Sequence, residues 1–93
     1  LAGRLMHHSI AGRRFEILLN ARLKDAHGFC TDPGLPGAKI EIAAGLSPDD
    51  LLESIIHECL HAAAYQLLSE YWVQETAHDI ATLLLRLGVK IDT

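Results

Sequence analysis

The fold of this chain is decided by residues 47–68, which read SPDDLLESIIHECLHAAAYQLL. The stretch opens with a strong helix start, because Ser47 is a good N-cap and Pro48 suits the first helical position. Two aspartates follow, where the positive end of the helix dipole favours negative charge. Apolar residues then recur at helical spacing through Leu67 and form a wide stripe that can face a core. We therefore predict a helix that begins at Ser47.

A second helix is predicted after a short break. Ser69 is another N-cap candidate, and apolar residues from Val73 to Leu87 again repeat with a helical period. Gly88 ends this pattern, as glycine commonly does just after a helix. Because the link is short, we expect the two helices to form an antiparallel hairpin.

The first half of the chain has the periodicity of strands. Residues 14–19 and 38–44 place apolar side chains at every second position, and a short segment at 28–31 lies between them. Residues 32–37, DPGLPG, predict a loop. Since strands and helices are segregated, we predict an α+β fold, a small antiparallel or mixed sheet packed on the helical hairpin. The charged face of residues 38–44 favours a place at the sheet edge.

Length and composition restrict the function classes. We expect 93 residues to form a single domain over 1–93, with residues 1–13 flexible. A net charge of −4 argues against a nucleic-acid partner, since binding phosphates requires a surplus of basic residues. No apolar run has the length of a membrane span, and the two cysteines are too few for a disulfide framework. We expect a cytoplasmic protein with free thiols and no membrane partner.

The first predicted helix contains the pattern HExxH at residues 57–61. Residues four apart lie on one helix face, so His57 and His61 can converge on one metal ion, for which Zn²⁺ is the expected choice. Glu58 lies beside them, where its carboxylate can act as general base towards a metal-bound water. The alternative is that both histidines are ordinary hydrogen-bonded residues at the helix surface.

A catalytic zinc site takes a third protein ligand, and the second helix offers candidates. If the hairpin turns near Ser69, His61 faces the region from Glu75 to His78. Glu75 is then the expected third ligand and His78 the rival. Asp79, farther from the turn, would lie near His57 and could hold that ring by a hydrogen bond.

HExxH followed on the next helix by Glu75-Thr-Ala-His-Asp79, an ExxxD pattern, resembles the gluzincin metallopeptidases. The chain from residue 15 onward is also similar to the minimal zincin domains of phage- and prophage-type metallopeptidases. The resemblance implies a zincin-like fold and a peptide or protein substrate lying along residues 38–44. It also implies a Zn²⁺ site made of these residues: ligands His57, His61 and Glu75, base Glu58, and Asp79 behind the ligands.

The sequence therefore predicts a zinc-dependent metallopeptidase that hydrolyses peptide bonds with Glu58 as general base. The alternative is a non-catalytic interaction module whose small core is stabilised by zinc. A purely structural site has no use for a carboxylate between its ligands and would favour a fourth ligand such as His78. A further possibility is an adaptor that uses Tyr71 and Trp72 as an exposed contact.

Overall fold

The computed structural model describes residues 3–91. It has four strands and two helices, in the order β1 (Arg4–Ile10), β2 (Arg13–Ala21), β3 (Gly28–Cys30), β4 (Lys39–Ala43), α1 (Pro48–Ala63) and α2 (Glu70–Arg86). The strands form one mixed sheet, and the helices pack against each other. The predicted α+β fold is confirmed.

The sheet has the strand order β1-β2-β4-β3. β1 and β2 form an antiparallel hairpin, β2 and β4 run parallel, and β3 returns antiparallel to β4. Ala11 and Gly12 make the hairpin turn, and both have positive φ, as two-residue hairpin turns require. β3 is therefore an edge strand of the sheet.

The prediction that residues 38–44 form an edge strand is wrong. β4 lies between β2 and β3, although Lys39 and Glu41 alternate with the buried Ile40 and Ile42. Helix α1 covers one face of the sheet, so an inner strand also has one wet face. The alternation of apolar and charged residues in this segment therefore indicates a sheet that is covered on one face. It does not distinguish an inner strand from an edge strand.

Residues 4–10, within the segment 1–13 for which the sequence predicts flexibility, form the strand β1. β1 pairs with β2 along its length, and its Met6 and Ile10 pack against the core. Arg4, His7 and His8 are all exposed although they lie on both faces of this edge strand, so the segment lacks the apolar alternation that identifies a half-buried strand. His7 lies opposite Glu16 on β2, with its Nε2 3.9 Å from a carboxylate oxygen. Residues 1 and 2 lie outside the described range.

The core lies between the sheet and α1. Phe15, Ile40 and Ile42 from the sheet are almost completely buried, and they cluster with Leu51 and Ala62 of α1. Among the described elements α1 contacts β1, β3 and β4, whereas α2 contacts α1 alone. The molecule thus has three layers, with α1 in the middle.

Both helices begin where the sequence predicts. The Ser47 hydroxyl accepts a hydrogen bond from the Asp50 N–H at 3.2 Å, and the Ser69 hydroxyl accepts one from the Trp72 N–H at 3.1 Å. These bonds satisfy N–H groups that a helix leaves free in its first turn. No helix within residues 3–91 is long and apolar enough to cross a bilayer.

Candidate metal centre

The two histidines of HExxH meet a carboxylate from the second helix. His57 and His61 lie one turn apart on α1, with ring centroids 4.9 Å apart and side chains 21% exposed. Glu70, the first residue of α2, spans them: Oε1 lies 2.9 Å from His57 Nε2, and Oε2 lies 2.8 Å from His61 Nε2. The ligand atoms of these three residues all lie within 4.8 Å of one another, so the group could hold a metal ion.

The chemistry of this donor set fits a metal ion. Two imidazoles and one carboxylate are one of the ligand sets found at catalytic zinc, where donor-to-metal distances near 2.1 Å place neighbouring donors roughly 3.3 Å apart. The nitrogen–oxygen distances at Glu70 are about half an ångström shorter, as expected for direct hydrogen bonds.

The third member of the group is Glu70, whereas the sequence pointed to Glu75. Glu75 is exposed, lies outside the group of converging ligand atoms, and accepts a hydrogen bond from Tyr71 on its own helix. That bond raises the pKa of the Tyr71 hydroxyl. The structure therefore brings a different carboxylate, five residues earlier, to the histidines.

The rival ligand and the predicted supporting residue are also elsewhere. His78 Nδ1 lies 2.7 Å from Glu53 Oε1 on α1, and this hydrogen bond and ion pair raise the pKa of His78. Asp79 is exposed beside it. Within the described residues neither one joins His57 and His61.

The difference arises from where the hairpin folds. The pairs His61–Glu70 and Glu53–His78 are both centred on the same point of the chain, between Tyr65 and Gln66. Gln66 has a left-handed φ of 61°, and the connection from residue 64 to 69 belongs to neither helix. The predicted turn at the cap residue Ser69 lies about three residues later and therefore pairs His61 with the wrong part of α2. Glu70 is in the first turn of α2, where the helix dipole favours acidic residues in any case, so its position in the sequence does not identify it as a candidate ligand.

Glu58 lies beside the group without belonging to it. Its side chain is nearly buried, with 7% of the residue exposed, and it packs against Gly28 of β3. Burial raises the pKa of this carboxyl group, while His57 and His61 partly oppose the rise and Glu70 adds to it. A carboxylate that lines the same clefts without belonging to the group of donor atoms is suited to exchange protons with a water molecule there.

Comparisons with protein-family models, with curated proteins and with solved structures found no match for this chain. A functional site in this chain must therefore be inferred from the geometry of its own residues.

Two clefts meet at the histidines. A cleft of about 440 Å³ includes β3 and residues after α1 in its lining: Gly28, Phe29, Cys30, Tyr65 and Leu68. Another, of about 340 Å³, is lined on the other side by His27, Glu53, Ser54 and Gln74. Both clefts share Gly28, His57, Glu58 and Glu70. The candidate metal group, His57, His61 and Glu70, thus lies where the two clefts meet, beside Gly28 of the edge strand β3.

The thiols near the groove are poor nucleophiles. Both cysteines are free, and burial, followed by the charges of Glu58 and Cys59, raises the pKa of Cys30 to about 11. Burial likewise raises the pKa of Cys59. Since the thiolate is the reactive form, neither residue is suited to nucleophilic catalysis at neutral pH.

Proposed function

We propose that this chain is a zinc-dependent metallopeptidase domain, with His57, His61 and Glu70 as the metal ligands. The observation that carries the proposal is a three-donor group with a buried, non-ligating carboxylate, Glu58, directly beside it. Surface histidines with a structural role would not require that carboxylate. Thus Glu58 favours a hydrolase over a purely structural zinc site.

Each residue of the site has a role in this reaction. When bound, zinc would polarise the substrate carbonyl and make an attacking water more acidic. Glu58 would accept a proton from that water and then transfer it to the departing amine. Because Glu58 is nearly buried, few waters can compete for its carboxylate. His57 and His61 are held by one rigid helix turn, which fixes the spacing of their ring nitrogens.

The substrate class follows from the edge strand. β3 pairs with β4 on one side, and its other side faces no strand in the described sheet. Free N–H and C=O groups on such an edge can bind an extended peptide by adding it to the sheet. We therefore propose that a peptide backbone lies along β3 above Glu58, in place of the predicted position along residues 38–44.

Zinc content and the variant Glu58→Gln test the proposal. Protein purified without a nickel column, stripped with chelator and reloaded should bind about one Zn²⁺ per chain by mass spectrometry of the metal. Glu58→Gln should keep that zinc and lose at least about 100-fold in hydrolysis of a mixed fluorogenic peptide library. Glu75→Gln, a matched change outside the group, should keep both zinc and activity.

Three outcomes would count against it. If the folded wild-type protein binds no zinc, the chain does not have the proposed metal site. If the Glu58→Gln variant is active, Glu58 is not the general base. Zinc that raises the unfolding temperature without any hydrolysis would favour the interaction-module alternative.

A further inference from the structure

One flank of α2 carries a stripe of one partly buried threonine and three exposed apolar residues. Thr76, Ile80, Leu83 and Leu87 are spaced by four, three and four residues, the repeat of a coiled-coil seam. We call these four residues the α2 seam. Ile80 is 37% exposed, Leu83 55% and Leu87 70%. They differ from Val73, Ala77 and Ala81, which face α1 and are buried.

Single exposed leucines are common on protein surfaces, but a continuous stripe at heptad spacing indicates a binding surface. Trp72 extends the stripe by one turn and is itself 47% exposed. Among the described helices and strands α2 packs on α1 alone, so no strand and no other helix of residues 3–91 packs against the seam.

The charges beside the seam indicate what covers it. Asp79 and Arg86 lie two turns apart at equivalent positions of the heptad, and both are exposed. Neither forms a salt bridge with another residue in the described range. In an antiparallel pair of identical helices, residues at this position face each other across the seam. Asp79 of one copy would then meet Arg86 of the other, twice over by the two-fold symmetry.

We propose that two copies of this chain associate by antiparallel packing of their α2 seams. Ile80 of each copy would lie against Leu83 of the other, and Thr76 against Leu87. α2 has 17 residues and is roughly 26 Å long, so the seam alone provides less than the ~800 Å² per partner of a standard interface. The dimer therefore dissociates on dilution.

This association is independent of the metal group. Glu70 lies at the start of α2, whereas the seam is centred between Ile80 and Leu83. Removing zinc with a chelator should leave the dimer intact, so the failure of one proposal does not decide the other.

Sedimentation of the chain at about 1 to 100 μM tests the association. We expect a monomer–dimer equilibrium that Leu83→Glu weakens at least about tenfold, since it places two carboxylates in the apolar seam. Thr82→Glu, the adjacent exposed residue on the other flank of α2, should behave as wild type. Circular dichroism of both variants checks that the helix is retained. A monomer at every concentration, or a dimer indifferent to Leu83→Glu, would overturn the proposal.

Exchanging the charges tests the antiparallel direction. Asp79→Arg and Arg86→Asp should each weaken self-association, because each creates two like-charge contacts. An equimolar mixture of the two variants should form heterodimers, and the double variant should self-associate as wild type does. If the single variants associate normally, or if mixing restores nothing, the antiparallel arrangement is wrong. These variants alter exposed side chains, so they test the proposal even if Leu83→Glu does not fold.

Discussion

Gly28 and Glu58 are in such close contact that a Cβ atom at residue 28 would lie 2.8 Å from both Cγ and Oε2 of Glu58. The φ angle of Gly28 is not among the positive ones, so glycine is required there for space. The backbone of the edge strand β3 thus packs directly against the side chain of the proposed general base. Any side chain on this residue of β3 must displace Glu58.

Gly28→Ala should therefore lower peptide hydrolysis while leaving the metal group intact. Because the rate of proton transfer depends strongly on the position of the base, a shift of a fraction of an ångström or more should lower kcat by about 10- to 100-fold. Zinc affinity, measured by competition with a chromophoric chelator, should stay near that of wild type, because the nearest atoms to the added methyl group all belong to Glu58 and none to the proposed ligands. Gly34→Ala is the control, since the added methyl there meets a partly exposed loop aspartate. Unchanged kcat in Gly28→Ala would show that this contact does not position the base.

Glu70→Gln should weaken zinc binding by more than about 100-fold, because it removes the charge of a direct ligand. Glu75→Gln should bind zinc as wild type does and should lower the pKa of Tyr71 towards its usual range, since it removes the charge of the hydrogen-bond acceptor. Competition titrations and the ultraviolet titration of tyrosine measure the two effects. A loss of zinc in Glu75→Gln alone would reinstate the ExxxD assignment.

The helices were predictable because their signals are local. Ser47, Pro48 and Ser69 act on N–H groups within their own first turns, so each start can be identified without knowing the rest of the fold. The HExxH pair is local in the same sense, since one helix turn fixes its spacing. These parts of the structure agree with the sequence-based prediction.

The parts that could not be predicted depend on contacts between distant segments. The register of α2 on α1 is set by the connection at Tyr65 and Gln66, and a change of a few residues there selects Glu70 over Glu75. The order of the strands likewise depends on long-range pairing, because β2 pairs with one edge of β4 and β3 with the other. Alternation of apolar residues within a strand shows which face is buried, but it does not show which strands pair with it on either side.

The ion pair between Glu53 and His78 should make stability depend on pH. Hydrogen bonding and charge from Glu53 raise the pKa of His78 above its ordinary value of 6.5, and Asp79 and Glu75 add smaller effects. A raised folded-state pKa stabilises the fold fully below the unfolded-state pKa, and the stabilisation is lost as pH rises through the folded-state pKa. Glu53→Gln should therefore destabilise the chain more at about pH 5.5 than at about pH 9.

Urea unfolding of wild type and Glu53→Gln at the two pH values measures this difference, with chelator present so that zinc does not contribute. His78→Gln should remove the pH dependence of the difference. An NMR titration of His78 should show its pKa falling in Glu53→Gln. An equal destabilisation at both pH values would contradict the ion pair.

The two helix caps should have different effects on zinc. Ser47→Ala and Ser69→Ala each remove one hydrogen bond to a first-turn N–H, and each should cost about 1 kcal/mol of stability in chelator. Ser69 precedes Glu70, so fraying of that turn releases a ligand, whereas Ser47 lies at the opposite end of α1 from His61. We expect Ser69→Ala to lower zinc affinity by about 3- to 10-fold and Ser47→Ala to leave it unchanged. Equal zinc affinities in the two variants would mean that Glu70 is held at the histidines by the metal and the imidazoles alone, without help from the cap.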